Sequence, residues 1–339
     1  MTRIVEHSLL TDAKKNKNDE FYTQLVDIEK ELKYYSLHFK GKVVYCNCDD
    51  PSVSNFFKYF YDHFEELGLK RLIATGYRTK ECEFGKVFIF NGTLQERLRF
   101  ESGDVPNLCG DGDFRGSECV AILEEADVVV TNPPFSLFRE FITQMVEFDK
   151  KFLVIGNVNA ITYKEVFGLI QTNKAWLGIH LGRGISGFMV PEHYELYGTE
   201  ARVDEGGNRI VSPNNCLWLT NLDHQKRHDE LPLTTKYAGN ESAYPRYDNF
   251  NGINVNRTRD IPLDYSGYMG VPITFLHKHN PDQFEVVRFR KGDDGKDLSF
   301  NGKCPYFRII IRRRGEGSQP SPAGVGSVPT KAGWQGMLL

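Results

Sequence analysis

Ala126-Asp127-Val128-Val129-Val130-Thr131-Asn132-Pro133-Pro134-Phe135 is the stretch on which the reading of this chain turns. The apolar run from Ala126 to Val130 predicts a strand buried on both faces, as in the middle of a parallel sheet. Two successive prolines then end it, since each fixes φ and offers no N–H to a ladder. Helical spacing follows, with a helix expected to begin near Ser136 and to bury Leu137, Phe141 and Met145. Strand, rigid loop and helix together put Asn132–Phe135 at the carboxyl end of a central strand, where open α/β sheets bind ligands.

The loop carries two acceptors, the side-chain oxygen of Asn132 and the backbone carbonyl of Pro133, the latter held by fixed proline geometry. Such a pair can grip both N–H bonds of a conjugated amine and turn its lone pair toward an electrophile. Phe135 offers an aromatic face for a base taken out of its stack. Alignment and preformed electrostatics would supply the rate, with no nucleophilic side chain. Asn and Pro also favour ordinary turns, but the buried strand before and the helix after are the setting this chemistry needs. An amide and an aryl amine pose the same geometric problem, so the four residues leave a base in DNA or RNA and a glutamine amide open.

Working outward, Leu25, Ile28, Leu32 and Tyr35 predict a helix from about Thr23 to Leu37. Val43–Cys48 is β-prone and runs into the loop Asp49-Asp50-Pro51-Ser52. Ser54 is the expected N-cap of a second helix with Phe56, Phe60 and Phe64 on one face and Gly68 beyond its end. Arg71–Thr75 reads as a further strand, and this order opens a doubly wound α/β sheet. Asn91-Gly92 predicts a hairpin joining Val87–Phe90 to Leu94–Phe100. Strands are expected at Phe152–Ile155, Ala175–His180 and Cys216–Thr220, and a helix at Tyr163–Ile170. Past Leu222 helical periodicity fades. Residues 1–222 are therefore expected to be the catalytic core, 223–314 a loop-rich module, and the Gly/Ser/Pro-rich 315–339 a disordered tail.

A chain of 339 residues with 40% hydrophobic and 13% aromatic content can bury a substantial core. Its formal net charge of -3 argues against general polyanion binding. The seven cysteines are scattered, with no C-x-x-C pair, which fits reduced thiols rather than a disulfide framework. His224/His228 and His277/His279 lack companion ligands, so no metal site is expected. With no apolar run near 18 residues and no cleavable leader pattern, a cytoplasmic protein away from membranes is expected.

NDEFYT (18–23), CNCDDPSVSNFFKYF (46–60), GDGDF (110–114), TNPPFSLFREF (131–141), NNCLWLTN (214–221) and YDNFNGINVNRTRDIP (247–262) together resemble the EcoRI-type family of adenine-specific DNA methyltransferases, from about Asn16 to Ile311. The resemblance implies a Rossmann-like S-adenosylmethionine-dependent methyltransferase fold with an appended target-recognition module. It implies S-adenosyl-L-methionine as donor and N6 of adenine in double-stranded DNA as acceptor. It further implies a monomeric enzyme of a restriction-modification system with a cognate endonuclease, or a protective methylase acting alone. By motif match, Phe21, Tyr22 and Thr23 line the methionine end of the cofactor, while Asp113 and Phe114 meet its adenine, the ring by stacking. Cys48, Asp49 and Asp50 stand where a Gly-x-Gly turn would be expected, a departure this family shares. One of the two aspartates is expected to serve the ribose or the ammonium, with the choice between them open. The second strand ends Thr75-Gly76-Tyr77 and shows no ribose-binding acid.

For the nucleic-acid side the candidates are Lys236, Arg246, Asn254, Arg257 and Arg259, interleaved with Tyr237, Tyr244, Tyr247 and Phe250. Arginine suits guanine edges and phosphates, and asparagine suits adenine edges. Arg183, between Gly182 and Gly184, is a further phosphate candidate, and Arg308 and Arg312–Arg314 cluster late. Asp229, Glu230, Glu241, Asp248 and Asp260 offset these charges. A decayed, DNA-binding relative without activity is the rival reading.

Overall fold

Residues 22–80, 82–190, 201–204, 206–211 and 215–315 are described by the computed structural model. The expectations for Phe21 and for the tail beyond Gly315 lie outside them. The chain divides into two units, one running to Val166 and including Ala175–Lys226, the other made of Phe167–Lys174 and the residues from Arg227 on.

The first unit begins with β1 (Tyr22–Thr23), α1 (Leu25–Leu32), β2 (Val43–Cys46), α2 (Asn55–Asp62), β3 (Arg71–Gly76) and β4 (Lys86–Phe90). It continues through α3 (Leu94–Glu101), α4 (Ser117–Glu125), β5 (Val128–Thr131), α5 (Phe138–Glu147), β6 (Lys151–Asn157) and α6 (Lys164–Gln171), the helix in which the two units meet in sequence. Then follow β7 (Trp176–Leu181), β8 (Phe188–Met189), β9 (Ala201–Val203), β10 (Arg209–Val211) and β11 (Cys216–Thr220).

Seven strands form one sheet in the order β4-β3-β2-β5-β6-β11-β7. Its centre, β3-β2-β5-β6, is parallel, while β4 and β11 run antiparallel to their neighbours. Every residue of β2 and β5 is buried, as strands covered on both faces require. From β2 the chain goes first to β3 on one side and later to β5 on the other, so the direction of winding reverses between β2 and β5. The carboxyl ends of those two strands flank the switch point, the crevice where such sheets take ligands. A second, four-stranded sheet, β1-β8-β10-β9, brings the start of the described chain against residues near 188.

The core of this unit is aromatic. Ser54 caps α2 by accepting from the Phe56 and Phe57 N–H groups. The helix then buries Phe56 and Phe60 on one face and Phe57 and Tyr61 on another. Phe56 meets the fully buried Trp218 of β11 edge-on at 5.9 Å, and Phe60 meets Phe39 at 5.0 Å. Each such ring contributes roughly 1.5–3 kcal/mol by leaving water, which outweighs the modest helix propensity of phenylalanine and tyrosine.

Four expectations are corrected. The helix expected over 23–37 spans only Leu25–Leu32, because Thr23 is drawn into backbone pairing with Phe188 and the chain turns at Tyr35 into a single 3-10 turn, Ser36–His38. The hairpin at Asn91-Gly92 is absent: Leu94–Glu101 is α3. There Thr93 accepts from the Glu96 N–H while the Glu96 carboxylate accepts from the Thr93 N–H, a capping box that commits the segment to helix. After Pro134 a 3-10 turn (Phe135–Leu137) precedes α5, so the buried stripe falls on Phe138, Phe141, Ile142 and Met145, with Leu137 only partly covered. The second unit holds a sheet that polar composition concealed.

Thr93→Ala removes one half of that box and is expected to lower stability by about 1 kcal/mol. A shift in urea midpoint at constant slope measures it; an unchanged midpoint would show that packing alone holds α3.

The second unit opens with loops over 227–250 and then forms β12 (Gly252–Asn254), β13 (Tyr268–Pro272), β14 (Phe284–Phe289) and β15 (Arg308–Arg313). Their order is β12-β13-β15-β14, with β12 and β13 parallel and the rest antiparallel. Met269, Val271, Phe284 and Ile309–Ile311 are buried within it.

Candidate active site

Thr131 ends β5, and the loop after it is shaped by its prolines. Pro134 sits at φ -55° and ψ 122°, and its carbonyl is taken by the Leu137 N–H at 3.0 Å. Among the described residues no backbone donor reaches the Pro133 carbonyl. The two prolines thus differ: the Pro134 carbonyl starts the following turn, and the Pro133 carbonyl takes no part in it. Phe135 is partly buried, its ring edge-on to Phe188 at 6.0 Å. Phe188 is also the residue that pairs with Thr23. The Tyr22-Thr23 element and the Asn132–Phe135 loop therefore meet at one residue, Phe188, the first through its backbone and the second through its ring.

The loop after β2 is bonded to the same place. Asp49 is buried; its Oδ1 accepts from Ser54 Oγ at 2.6 Å and its Oδ2 from Thr131 Oγ1 at 2.5 Å. The Asn132 N–H also bonds to this carboxylate. Burial raises the Asp49 pKa to about 6, against the opposing effect of those three hydrogen bonds. The Cys48 N–H donates to Thr131 Oγ1 at 3.2 Å. Asp50 faces outward in part, and its Oδ1 accepts from the Ser52 N–H.

Two buried polar groups beside these elements have no hydrogen-bond partner among the described residues: Thr23 Oγ1, and both amide atoms of Asn47 at the end of β2. The Thr23 carbonyl is itself held by Asn55 Nδ2 at 2.9 Å, from the first turn of α2. Buried polar groups left unsatisfied cost free energy, so a ligand that satisfied them would gain by it. Sequence reading passed over Asn47; the signal was an amide at the carboxyl end of a buried strand.

Glycines do meet here, though from three segments rather than one turn. A Cβ on Gly112, whose φ is +79°, would lie 2.2 Å from the Gly76 carbonyl oxygen, and one on Gly76 would lie 2.6 Å from the Asp50 Cα. Gly85 packs on Gly112 in the same way. Backbone-to-backbone approach of this kind is open only to glycine. Beside it, Asp113 is held by Arg115, Nη2 to Oδ2 at 2.6 Å and Nε to Oδ1 at 2.9 Å, which keeps its carboxyl below the usual range. The Phe114 ring is buried and packs against Phe141 at 5.3 Å, with the Arg115 guanidinium over it.

In the second unit Lys236, Arg246, Arg257 and Arg259 are exposed. Among the described residues Arg259 has only a loose ion pair with Asp260 at 3.8 Å, and no carboxylate pairs with the other three. Lys236 and Asn256 line one groove of about 530 Å³, and Arg246 and Asn251 another of about 600 Å³. Asn254 is corrected: it is fully buried, accepting from Tyr247 Oη and Arg308 Nε and donating to Asn256, which makes it an internal amide. Tyr244 and Tyr247 are likewise buried, while Arg312 pairs with Glu285. Gly182–Gly184 forms a 3-10 turn, and the Arg183 side chain lies outside what is described.

An α/β sheet with a parallel centre, carrying Asn-Pro-Pro-Phe at the end of a central strand and two acceptors for an NH2 group, defines the class: a methyltransferase acting on amino nitrogen. The chain belongs to the family described as adenine-specific methyltransferase EcoRI, whose family model matches residues 9–314, slightly more than the motifs alone marked out. It is 63% identical over 322 residues to the type II methyltransferase M.EcoRI of Escherichia coli, covering 93% of this chain and 99% of that one. It is 36% identical to the type II methyltransferase M.MgeORF184P of Mycoplasma genitalium (89% and 98% covered) and 35% identical to M.MpnI of Mycoplasma pneumoniae (89% and 97% covered). No solved structure matches the chain.

Proposed function

We propose that this protein transfers the methyl group of S-adenosylmethionine to N6 of an adenine flipped out of double-stranded DNA, as the modification enzyme of a type II restriction-modification system. The observation that carries this is the convergence, at the carboxyl edge of one sheet, of the Asn132-Pro133 acceptors, the Tyr22-Thr23 strand and the Asn47–Asp50 loop. Family membership supports the acceptor base, and the reversed strand β11 between β6 and β7 fits the Rossmann-like methyltransferase fold that the resemblance implies.

The residues present fit the donor. The unpaired Thr23 hydroxyl and Asn47 amide, the outward Asp50, and the close-packed glycines at 76, 85 and 112 form a polar cradle beside the loop. Tyr22, Thr23, Asn47, Cys48, Asp50 and Asp113 are the groups proposed to hold it. When bound, the donor supplies a methyl group on a positively charged sulfur. Asn132 Oδ1 and the Pro133 carbonyl each accept one N–H of the adenine amine, drawing the nitrogen toward a tetrahedral shape and steering its lone pair. Phe135 stacks on the extruded base, and the nitrogen gives up one proton to solvent as the N–C bond forms.

The module from 223 to 314 is proposed to read the target, with Lys236, Arg246, Arg257 and Arg259, together with Arg183, toward the duplex. No helix among the described residues is long and apolar enough to cross a membrane; a cytoplasmic monomer, paired with a cognate endonuclease, completes the reading. Arg257→Ala is expected to weaken duplex binding evenly across sequences and to reduce the salt slope by about one. Titrations at several salt concentrations measure this; loss confined to one base position would make Arg257 a base reader instead. Labelled donor offered with duplex DNA, RNA and protein tests the function. Label entering only RNA or protein rejects it.

A further inference from the structure

We propose that Asp49 is a positioning residue for the catalytic loop, a carboxylate that ties the N-cap of α2 to Thr131 and to the backbone of Asn132. The inference rests on the function proposed above and assigns a role that the cofactor does not require.

Sequence left Asp49 and Asp50 equivalent; the fold separates them. Asp49 points inward, with its two oxygens already accepting from Ser54 Oγ and Thr131 Oγ1 and the Asn132 N–H adding a third donor. A cofactor ammonium or ribose hydroxyl would have to compete with all three. The connections run in series: the Phe56 and Phe57 N–H groups of α2 bond to Ser54 Oγ, Ser54 to Asp49, and Asp49 to Thr131 and Asn132. Cys48 N–H closes the far side through Thr131 Oγ1. The first residue of the Asn-Pro-Pro-Phe loop is thereby referenced to a helix end and to two strands. Three donors converging on one group call for a carboxylate, because an amide in its place would turn an NH2 toward a hydroxyl or an N–H.

Protonation would have the same effect. The titratable groups around Asp49 are Asp50 and the thiols of Cys46 and Cys48, and none of them is a cation. Its pKa, held near 6 by burial, places the change within reach of an ordinary pH profile. Because the folded value lies above the unfolded one, the native state takes up this proton first, and stability from this group rises as pH falls from about 6 toward about 4. An acid limb near pH 6 is therefore not unfolding caused by Asp49.

Asp49→Asn tests the assignment with three readouts: cofactor binding by calorimetry, the single-turnover methylation rate at saturating cofactor, and that rate from pH 5 to 8. The expected result is a cofactor Kd within about twofold of the parent, a rate lower by roughly 10- to 100-fold, and loss of an acid limb that the parent shows near pH 6. A raised Kd with an unchanged rate at saturation would make Asp49 a cofactor ligand and overturn the proposal, as would a parent profile flat from pH 5 to 7. Should Asp49→Asn not fold, Thr131→Val and Thr131→Ser carry the test: the rate falls in the first and is largely restored in the second, and equal rates would sink the idea. Asn132→Ala assayed alongside separates the two readings. Full activity there rejects the proposed chemistry, whereas a dead Asn132→Ala beside a normal Asp49→Asn rejects only the positioning role.

Discussion

Asn132→Ala is expected to lower single-turnover methylation by about 1,000-fold while duplex binding stays within a few-fold of the parent. The amine of adenine is conjugated with its ring, so the unassisted nitrogen is a poor nucleophile, and the two acceptors matter chiefly as the transition state forms. Removing one prealigned polar group of this kind costs roughly 100- to 1,000-fold in other enzymes. The upper end applies here because the remaining acceptor, the Pro133 carbonyl, can hold only one of the two N–H bonds. Binding should survive because Asn132 is not among the proposed duplex contacts, Arg183, Lys236, Arg246, Arg257 and Arg259. Label transfer under single-turnover conditions, a gel-shift titration, and 2-aminopurine fluorescence at the target position make up the measurement. Bright 2-aminopurine with no label is the expected pair of results; near-parental label would show that something else grips the amine.

Gly112→Ala should produce the largest change in stability. The residue sits at φ +79°, and an added Cβ would stand 2.2 Å from the Gly76 carbonyl oxygen. Left-handed backbone costs alanine about 1 kcal/mol, and overpacking that forces backbone to shift typically costs a further 1–3 kcal/mol. The neighbours are the backbones of Gly76 and Gly85, so no flexible side chain can move aside. A loss of about 3 kcal/mol is therefore expected in denaturant unfolding, together with weaker cofactor binding, since Gly76 lies against Asp50. An unchanged midpoint would mean that the three glycine segments are not in contact in solution.

Some of this protein was fixed by short-range chemistry alone. The valine run before Asn132 could only be a strand covered on both faces, the two prolines had to end it, and Ser54 could be read as a cap because its partners lie two and three residues away. The parallel centre of the sheet and the placement of Asn132–Phe135 after a central strand followed from such local signals, whereas the family came from the resemblance of motifs spread along the chain. What needed the tertiary structure depends on partners far along the chain. Thr23 leaves its helix to pair with Phe188, Asp49 turns inward to meet Thr131, Phe114 is claimed by Phe141, and Asn254 by Arg308. Periodicity reports which residues prefer to be covered, but not what covers them. A polar or aromatic side chain becomes a ligand or a core group according to which distant segment reaches it first.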